Sequence, residues 1–529
     1  MKFLEKNSIF LSILFVYLLL IVLLNSFFNF RFEENDDVIM SLIASGSYSG
    51  TLDPHLIFSN VIYGGVLNYF YSLFPNIEWY TYFQLLFLWF SVSLQSKEIL
   101  SLNISKFLKG AFLFLSLAIF TSIIIKLQFT YTAGYTAITG IMLFRKKNSN
   151  FKLVLGGGLI LWSSMIRYEA SLLVILISSP LILLEVNELA DVLRSRVTKV
   201  WFFSVLLIGF GIFFDKKIYE SDSEWDYFVS YNKTRHKLND YPMLVEDNGL
   251  LSDVVSYNDF LLFNRSLVDT NVFKLSVLNE LNSKLRNLPT INKLDNVKFL
   301  FKPYYALWMF AALLIVLLIS VSHMNFKNWL PFLSFFVMLL GLLYLSYSLI
   351  IKNRVFQTAI STLLLMLPFC ILKSKITRKN SLIIGSIIFS LGFLLVFRTY
   401  YRYDGEVFPN QYEKQIKMIN SYLKNPSKQI IFYSTSFHFE YTDPFNISEQ
   451  QYNSKINLSG WLSYAPLNSD KFGSFQFFIE GNGLYVTKNA FESVVHVVTQ
   501  SIKDNYGIMV KAKVVMENDL DYIIEFVPE

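Results

Sequence analysis

The chain has 529 residues, of which 53% are hydrophobic and only 16% are charged, and its mean hydropathy is +0.42. Soluble proteins carry about a quarter charged residues, so this composition excludes an ordinary soluble enzyme and indicates a polytopic membrane protein. The single cysteine, Cys370, excludes an intrachain disulfide and a cysteine-based metal site. The net charge of +6 comes from short basic clusters between apolar runs, which gives no reason to expect a nucleic-acid partner.

The first apolar run follows Lys2 and Lys6 and extends from Ile9 to Phe28. About 20 residues are enough to cross a bilayer, whereas the apolar core of a signal peptide has about 7–15. No small-residue cleavage site follows, so we interpret this run as a retained membrane anchor. Ten further runs are long enough, or nearly long enough, to span a membrane: 80–96, 110–126, 130–144, 152–166, 169–187, 200–214, 303–321, 328–350, 355–372 and 380–397.

The basic loops predict the orientation of these spans. If the N-terminus is cytoplasmic, the strongly basic short loops fall on the cytoplasmic side, as the positive-inside rule requires: 97–109, 145–152, 194–199 and 373–379. Loops 29–79 and 215–302 then face outward. We therefore expect a transmembrane domain of about eleven helices, residues 1–397, and an extracytoplasmic domain, residues 398–529. A span at 56–74 would reverse the orientation, so we predict an interfacial or re-entrant helix there.

The tail has a different pattern from the rest of the chain. Residues 412–425 and 490–507 have helical spacing, and the second stretch ends at Gly507. Residues 428–437 and 521–529 have the composition of strands. About 130 residues can hold a hydrophobic core of their own, so we predict a small α/β domain.

An acidic pair stands at the start of the first outer loop, in the sequence Asn35-Asp36-Asp37-Val-Ile-Met-Ser-Leu-Ile-Ala-Ser-Gly46. Asn35 suits the N-cap of a helix, two carboxylates in the first turn favour the helix dipole, and Gly46 suits the C-terminal stop. We expect the apolar face of this helix to lie on the bilayer surface. Alternatively, a carboxylate there could act as a general base toward a hydroxyl, or hold a divalent cation against a phosphate.

The order of features in the first 100 residues resembles the polytopic glycosyltransferases of the GT-C superfamily, such as protein O-mannosyltransferases and aminoarabinose transferases. In those proteins the first outer loop carries an acidic catalytic motif, matched here by Asp36 and Asp37. A Pro-Pro-Leu-like motif follows, and Pro54-His55-Leu56 stands in its place with histidine instead of a proline. The resemblance implies inverting transfer of a sugar from a polyprenyl-phosphate donor to a lipid, glycan or protein acceptor. We expect this reaction at the outer face of a bacterial cell membrane.

Ionisable residues at the expected outer ends of spans are candidates for substrate binding. Arg167 and Glu169 flank a tyrosine where two spans meet, and Arg354 lies between two strongly apolar spans. A guanidinium is well shaped to bind the phosphate of a lipid carrier. The alternatives are that Arg167 pairs with Glu169 and that Arg354 is an interfacial anchor. His55 could donate a hydrogen bond to a phosphate or sugar, or be an ordinary polar loop residue.

The long outer loop holds a further candidate in residues 223–242. Aromatic and hydrogen-bonding side chains alternate there, among them Tyr231 and Arg235, as in a sugar-binding site. The same mixture also fits a folded polar loop on lipid headgroups. Two other functions stay open: a polymerase or ligase of surface polysaccharide, and a transporter or flippase of lipid-linked saccharides. A transporter predicts charges in mid-span and an internal repeat, which this sequence does not suggest.

Overall fold

A computed structural model of the chain describes residues 2–145, 148–185, 192, 194–239, 253–285, 297–321, 326–348, 351–373, 376–403, 407–433, 437–447, 455–468 and 473–529. The first helices are α1 (Lys2–Phe27), α2 (Asn35–Ala44), α3 (Val61–Leu73), α4 (Trp79–Ser101), α5 (Lys106–Ile125), α6 (Phe129–Met142), α7 (Asn150–Ile182), α8 (Arg196–Ser221) and α9 (Ser223–Asn239). The later ones are α10 (Tyr257–Asn264), α11 (Leu275–Leu285), α12 (Pro303–Val321), α13 (Phe326–Ser348), α14 (Asn353–Lys373), α15 (Arg378–Tyr401), α16 (Val407–Tyr422), α17 (Gln476–Ile479) and α18 (Phe491–Tyr506).

The predicted helical membrane protein is confirmed. Among the described residues, eight helices are long and apolar enough to cross a membrane: α1, α5, α7, α8, α12, α13, α14 and α15. The predicted runs 80–96 and 130–144 are also helical, as α4 and α6, but neither is among the eight. With its 14 residues, α6 is about 21 Å long, shorter than the roughly 30 Å hydrocarbon core. The sequence predicted eleven spans, three more than these eight. Two of the three are α4 and α6, and the third arises because the single element α7 covers two predicted runs, 152–166 and 169–187.

Helix α7 folds back on itself at Arg167, whose backbone is extended (φ −157°, ψ 101°). The Oγ atoms of Ser163 and Ser171 lie 2.5 Å apart, although eight residues of straight helix rise about 12 Å. The element is therefore two helical arms joined by a sharp turn, as the sequence predicts for two spans meeting at residues 165–169. Close packing of α6 on the first arm explains Gly140 and Gly156, since a Cβ on either would come within 2.7 Å of the other's carbonyl oxygen.

Helix α2 does not lie on the bilayer surface, and its start differs by one residue from the prediction. The helix begins at Asn35, so the N-cap position belongs to Glu34, whose side chain makes no capping bond. All residues from Asp37 to Ala44 are buried. The apolar face fails to reach lipid because strand β1 (Arg31–Phe32) pairs in parallel with β2 (Lys126–Leu127) and draws the loop inward. Gly46 follows the helix with a left-handed backbone, φ +74°, as expected for a stop signal.

Helix α3 lies in the segment whose placement was ambiguous from sequence. Its 13 residues extend about 20 Å, too short to cross a bilayer, which fits the predicted interfacial or re-entrant helix. The loop before α3 packs directly on it: a Cβ at Gly64 would clash with the carbonyl of Pro54.

The tail contains a five-stranded sheet built from β3 (Ile430–Phe432), β4 (Ile456–Asn457), β5 (Gly483–Thr487), β6 (Val510–Glu517) and β7 (Asp521–Pro528). Its order is β4-β3-β5-β7-β6, with β3 parallel to its two neighbours and the β5-β7-β6 part antiparallel. Helix α18 covers the sheet and ends, as predicted, before Gly507, which has φ +69°.

Residues 257–267, from the predicted outer loop, fold together with the tail. Leu262 and Leu267 belong to the same apolar core as the sheet and α18. Asp259 of α10 accepts hydrogen bonds from Ser501 and Asn505 of α18. The domain that contains the sheet therefore draws on two stretches of sequence, which the sequence had assigned to separate domains.

Candidate functional site

Asp37 is completely buried and holds three structural elements together. Its Oδ1 accepts hydrogen bonds from Tyr80 Oη at 2.9 Å, Gln84 Nε2 at 3.2 Å and the Phe129 backbone amide at 3.1 Å. Burial raises the pKa of this carboxyl well above its usual value, and the bonds from Tyr80 and Gln84 offset part of that rise. The Oδ2 atom is buried and has no hydrogen-bond partner among the described residues. Asp37 thus fastens α2 to α4 and to the first turn of α6.

Asp36 has the opposite environment, although it is the adjacent residue. Its side chain is partly exposed, and no hydrogen bond reaches its carboxylate from the described residues. Partial desolvation, followed by the charge of Glu34, raises its pKa from 3.8 to about 6, against the opposing charges of Arg354 and Arg167. A carboxyl with this pKa is ionised at neutral pH and still basic enough to accept a proton during a reaction.

Two of the arginines predicted from sequence lie near this carboxylate. Arg354, in the first turn of α14, forms an ion pair with Glu34, the residue two positions before Asp36. The charges of Arg354 and Lys352 both act on Asp36. Together with Arg167 at the turn of α7, three cations thus act on Asp36.

Arg167 is held at the turn of α7 by several contacts. Its Nη1 donates to the carbonyl of Phe58 at 2.9 Å, and its Nε pairs with Glu169 at 3.0 Å. The guanidinium carbon lies 5.7 Å and 5.5 Å from the ring centres of Phe58 and Phe129. The Arg167–Glu169 pair considered as an alternative from the sequence is therefore present. The arginine remains next to the acidic pair, because the Phe129 amide binds Asp37.

His55 lies in an aromatic pocket. Its Nδ1 is 2.8 Å from Asp53 Oδ1, its ring stacks on Trp225 with centres 4.5 Å apart, and Tyr219 meets it edge-on. Its Nε2 is buried and has no partner among the described residues. The side chain thus joins the loop before α3 to α8 and α9, and its predicted contact with substrate stays a prediction.

Tyr231 and Arg235 lie on α9. Tyr231 is fully buried and packs on Tyr464 with ring centres 4.2 Å apart, in the apolar core between α9, α10 and α11. Arg235 donates two hydrogen bonds to Asn232 in its own helix. Tyr231 is therefore a core residue in this structure, because α9 packs on α11 and on the tail instead of lying on headgroups.

A cavity that the sequence did not reveal opens at Glu33, three residues before Asp36. This basic cavity, of about 50 Å³, has polar walls formed by Glu33, Lys126, Tyr131, Asn353, Arg398 and Arg402, among others. Burial raises the pKa of Glu33 to about 7. Glu33 Oε2 and Gln357 Nε2, both at this cavity, are buried polar atoms without partners in the described part of the chain. The one available sequence signal was the i, i+4 spacing of Arg398 and Arg402 at the end of the last span.

The cavity therefore combines three cations with one carboxyl of intermediate pKa, which suits an anionic group. Within the described ranges, no three histidine, cysteine, aspartate or glutamate side chains come together as a metal site.

No protein-family model matches the chain, and no curated protein matches it. Two solved structures do. The crystal structure of ArnT from Cupriavidus metallidurans bound to undecaprenyl phosphate has 10% identity and a TM-score of 0.43, over 99% of this chain and 97% of that chain. The apo state of the same protein has 11% identity and a TM-score of 0.42 over the same shares. ArnT is a GT-C aminoarabinose transferase, one of the proteins that the N-terminal motif order resembles. A likeness this distant assigns no activity to the chain.

Proposed function

We propose that this integral membrane protein is a glycosyltransferase that moves a sugar from a polyprenyl-phosphate-linked donor to an acceptor at the outer face of the membrane. The observation that supports this most is the pairing of Asp36 with the basic cavity. Asp36 is a partly exposed carboxyl with a pKa of about 6, and the cavity lined by Glu33, three residues earlier, carries three cations at the ends of membrane helices. The positive-inside arrangement of the loops supports the outer face.

In the proposed reaction Asp36 is the general base. It takes the proton of the acceptor hydroxyl while the hydroxyl oxygen attacks the anomeric carbon of the donor. The bond from that carbon to the phosphate oxygen breaks, and its electron pair leaves with the phosphate. Lys126, Arg398 and Arg402 would stabilise the departing charge, with Arg354 keeping Asp36 ionised. Attack opposite the leaving group inverts the anomeric carbon.

Purified protein in proteoliposomes, supplied with radiolabelled polyprenyl-phosphate sugar and a lipid extract, tests the proposal. We expect labelled product from the wild-type protein and at least about a 100-fold slower rate from Asp36→Asn, the low end for loss of a general base. Asp226→Asn is the matched control, because Asp226 is an exposed aspartate on α9. Equal rates for Asp36→Asn and the control would contradict the proposal.

The same experiment separates the two alternative functions. A single added sugar is the product of the proposed transferase, whereas a ladder of increasing length identifies a polysaccharide polymerase. Movement of the labelled lipid between leaflets without a new glycosidic bond identifies a flippase.

A further inference from the structure

A second cavity adjoins strand β1, close in sequence to the residues that line the basic cavity. It measures about 380 Å³ and is called here the tyrosine cavity, after Tyr403, Tyr412 and Tyr441 in its wall. Residues close in sequence line both cavities: Arg31 and Tyr403 line the tyrosine cavity, whereas Glu33 and Arg402 line the basic one. Both cavities therefore adjoin the segment that leads into the acidic pair at α2.

The chemistry of the tyrosine cavity suits a saccharide. Aromatic rings offer flat apolar faces, and the carboxylates of Glu413 and Asp443 accept hydrogen bonds from hydroxyl groups. Asp443 Oδ1 accepts from the Phe445 amide at 3.0 Å, and its second oxygen has no partner in the described part of the chain. Both carboxylate side chains are exposed, so hydroxyl groups of a ligand can reach them.

The charges of the two cavities differ in sign. The tyrosine cavity has two carboxylates and one guanidinium, that of Arg31, which lies 4.4 Å from the ring centre of Tyr441. The basic cavity has three cations and one carboxyl. Glu413 also forms an exposed ion pair with Lys417, at 3.7 Å. A phosphate is therefore attracted more strongly to the basic cavity than to the tyrosine cavity, whereas an uncharged saccharide has no such preference.

An apolar groove lies next to the tyrosine cavity, along the membrane helix α1. It measures about 780 Å³ and runs between α1 and α4, where Leu18, Val22, Trp79 and Trp89 line it. Asn25 and Phe445 line both the groove and the cavity, so the two spaces are neighbours. Both volumes fall in the range of about 300–1,000 Å³ that is usual for small-molecule sites. The groove uses the second half of α1, which lies in the outer leaflet if the N-terminus is cytoplasmic.

We propose that the tyrosine cavity and this groove together bind a phosphate-free glycolipid, its saccharide in the cavity and its lipid chain in the groove, as the acceptor of the transfer. The acceptor role rests on the proposed function, but the binding does not. The charge difference gives each substrate its own place, with the phosphate of the donor in the basic cavity and the neutral saccharide in the tyrosine cavity.

The experiment measures lipid retention by the full chain in nanodiscs, followed by native mass spectrometry. The probes are glucosyl, galactosyl and diglucosyl diacylglycerol, with phosphatidylglycerol of the same acyl chains as reference. We expect at least one glycosyl lipid to be retained at least about tenfold more strongly than phosphatidylglycerol. The double variant Glu413→Gln/Asp443→Asn should lose most of this preference, because hydrogen bonds to charged groups contribute enough for about a tenfold change in affinity.

A matched pair of variants on α1 tests the groove. Val22 and Leu23 are 57% and 55% exposed, but only Val22 is among the residues that line the groove. Val22→Trp should fill the groove and weaken glycolipid retention at least about tenfold, whereas Leu23→Trp should retain it like the wild type. Equal retention in both variants, or equal retention of phosphatidylglycerol and all three glycosyl lipids, would overturn the proposal.

Retention requires neither donor nor turnover, so Asp36→Asn should bind the glycolipid normally. If Asp36→Asn also transfers sugar normally, the proposed reaction fails while the binding site stands. If transfer depends on Asp36 but the two tryptophan variants behave alike, this binding site fails while the proposed reaction stands.

Discussion

Replacing Asp36 by asparagine should make the protein more stable and much less active. The pKa of Asp36 rises from 3.8 to about 6 in the folded protein, so at pH 7.5 the ionised side chain destabilises the fold by up to about 3 kcal/mol. Because the folded state favours the neutral acid, this cost is absent below about pH 4 and grows as the pH rises through 6. Asparagine removes the cost but cannot take a proton, which costs at least about 100-fold in rate.

Asp37→Asn should lower the transfer rate far less than Asp36→Asn. The amide oxygen can still accept from Tyr80, Gln84 and the Phe129 amide, so we expect a folded protein that loses at most about tenfold in rate. Asp37→Leu should unfold at markedly lower temperature, because three buried donors then lack an acceptor at about 1–3 kcal/mol each.

The assay combines initial transfer rates with thermal unfolding in detergent, monitored by size-exclusion chromatography, at pH 4.5 and pH 7.5. The stability gain of Asp36→Asn should appear at pH 7.5 and shrink at pH 4.5. If Asp37→Asn transfers sugar slowly and Asp36→Asn at a nearly normal rate, Asp37 is the general base and the assignment to Asp36 is wrong. A nearly normal rate in both variants would show that neither aspartate is the general base, and their role would be to favour the helix dipole of α2.

Three further predictions follow from the same contacts. The wild-type transfer rate should rise with pH through about 6 and then level off, because only ionised Asp36 accepts a proton; a rate independent of pH between 5 and 8 would contradict this. Arg354→Gln should move that rise to higher pH, since it removes a cation that lowers the pKa of Asp36; an unchanged pH profile would argue against the coupling. Tags in loops 145–152 and 373–379 should be cytoplasmic and a tag at 529 extracytoplasmic, as read by protease protection in intact cells; a cytoplasmic C-terminus would overturn the orientation.

The sequence by itself determined the membrane architecture. Long apolar runs predicted the helices, since a segment with about 20 apolar residues must satisfy its backbone hydrogen bonds internally as a helix in lipid. Two local signals in the tail were equally informative, namely the helical spacing of residues 490–507 and the glycine that ends this helix in a left-handed conformation. The acidic pair was also visible as a candidate, because adjacent carboxylates at a membrane surface are rare and costly.

Only the tertiary structure distinguished the two members of that pair. A helix places adjacent side chains about 100° apart, so Asp37 turns into the protein toward Tyr80 and Gln84 while Asp36 stays partly exposed. The basic cavity depends on long-range contacts as well, since it assembles Lys126, Asn353 and Arg402 from separate spans. Tyr231 was predicted from the sequence as a sugar-binding candidate because it is aromatic. The structure buries it against Tyr464, more than 200 residues away, a contact that the local sequence cannot reveal. Local pattern fixes whether a residue lies on a helix, whereas its environment depends on which distant elements pack against that helix.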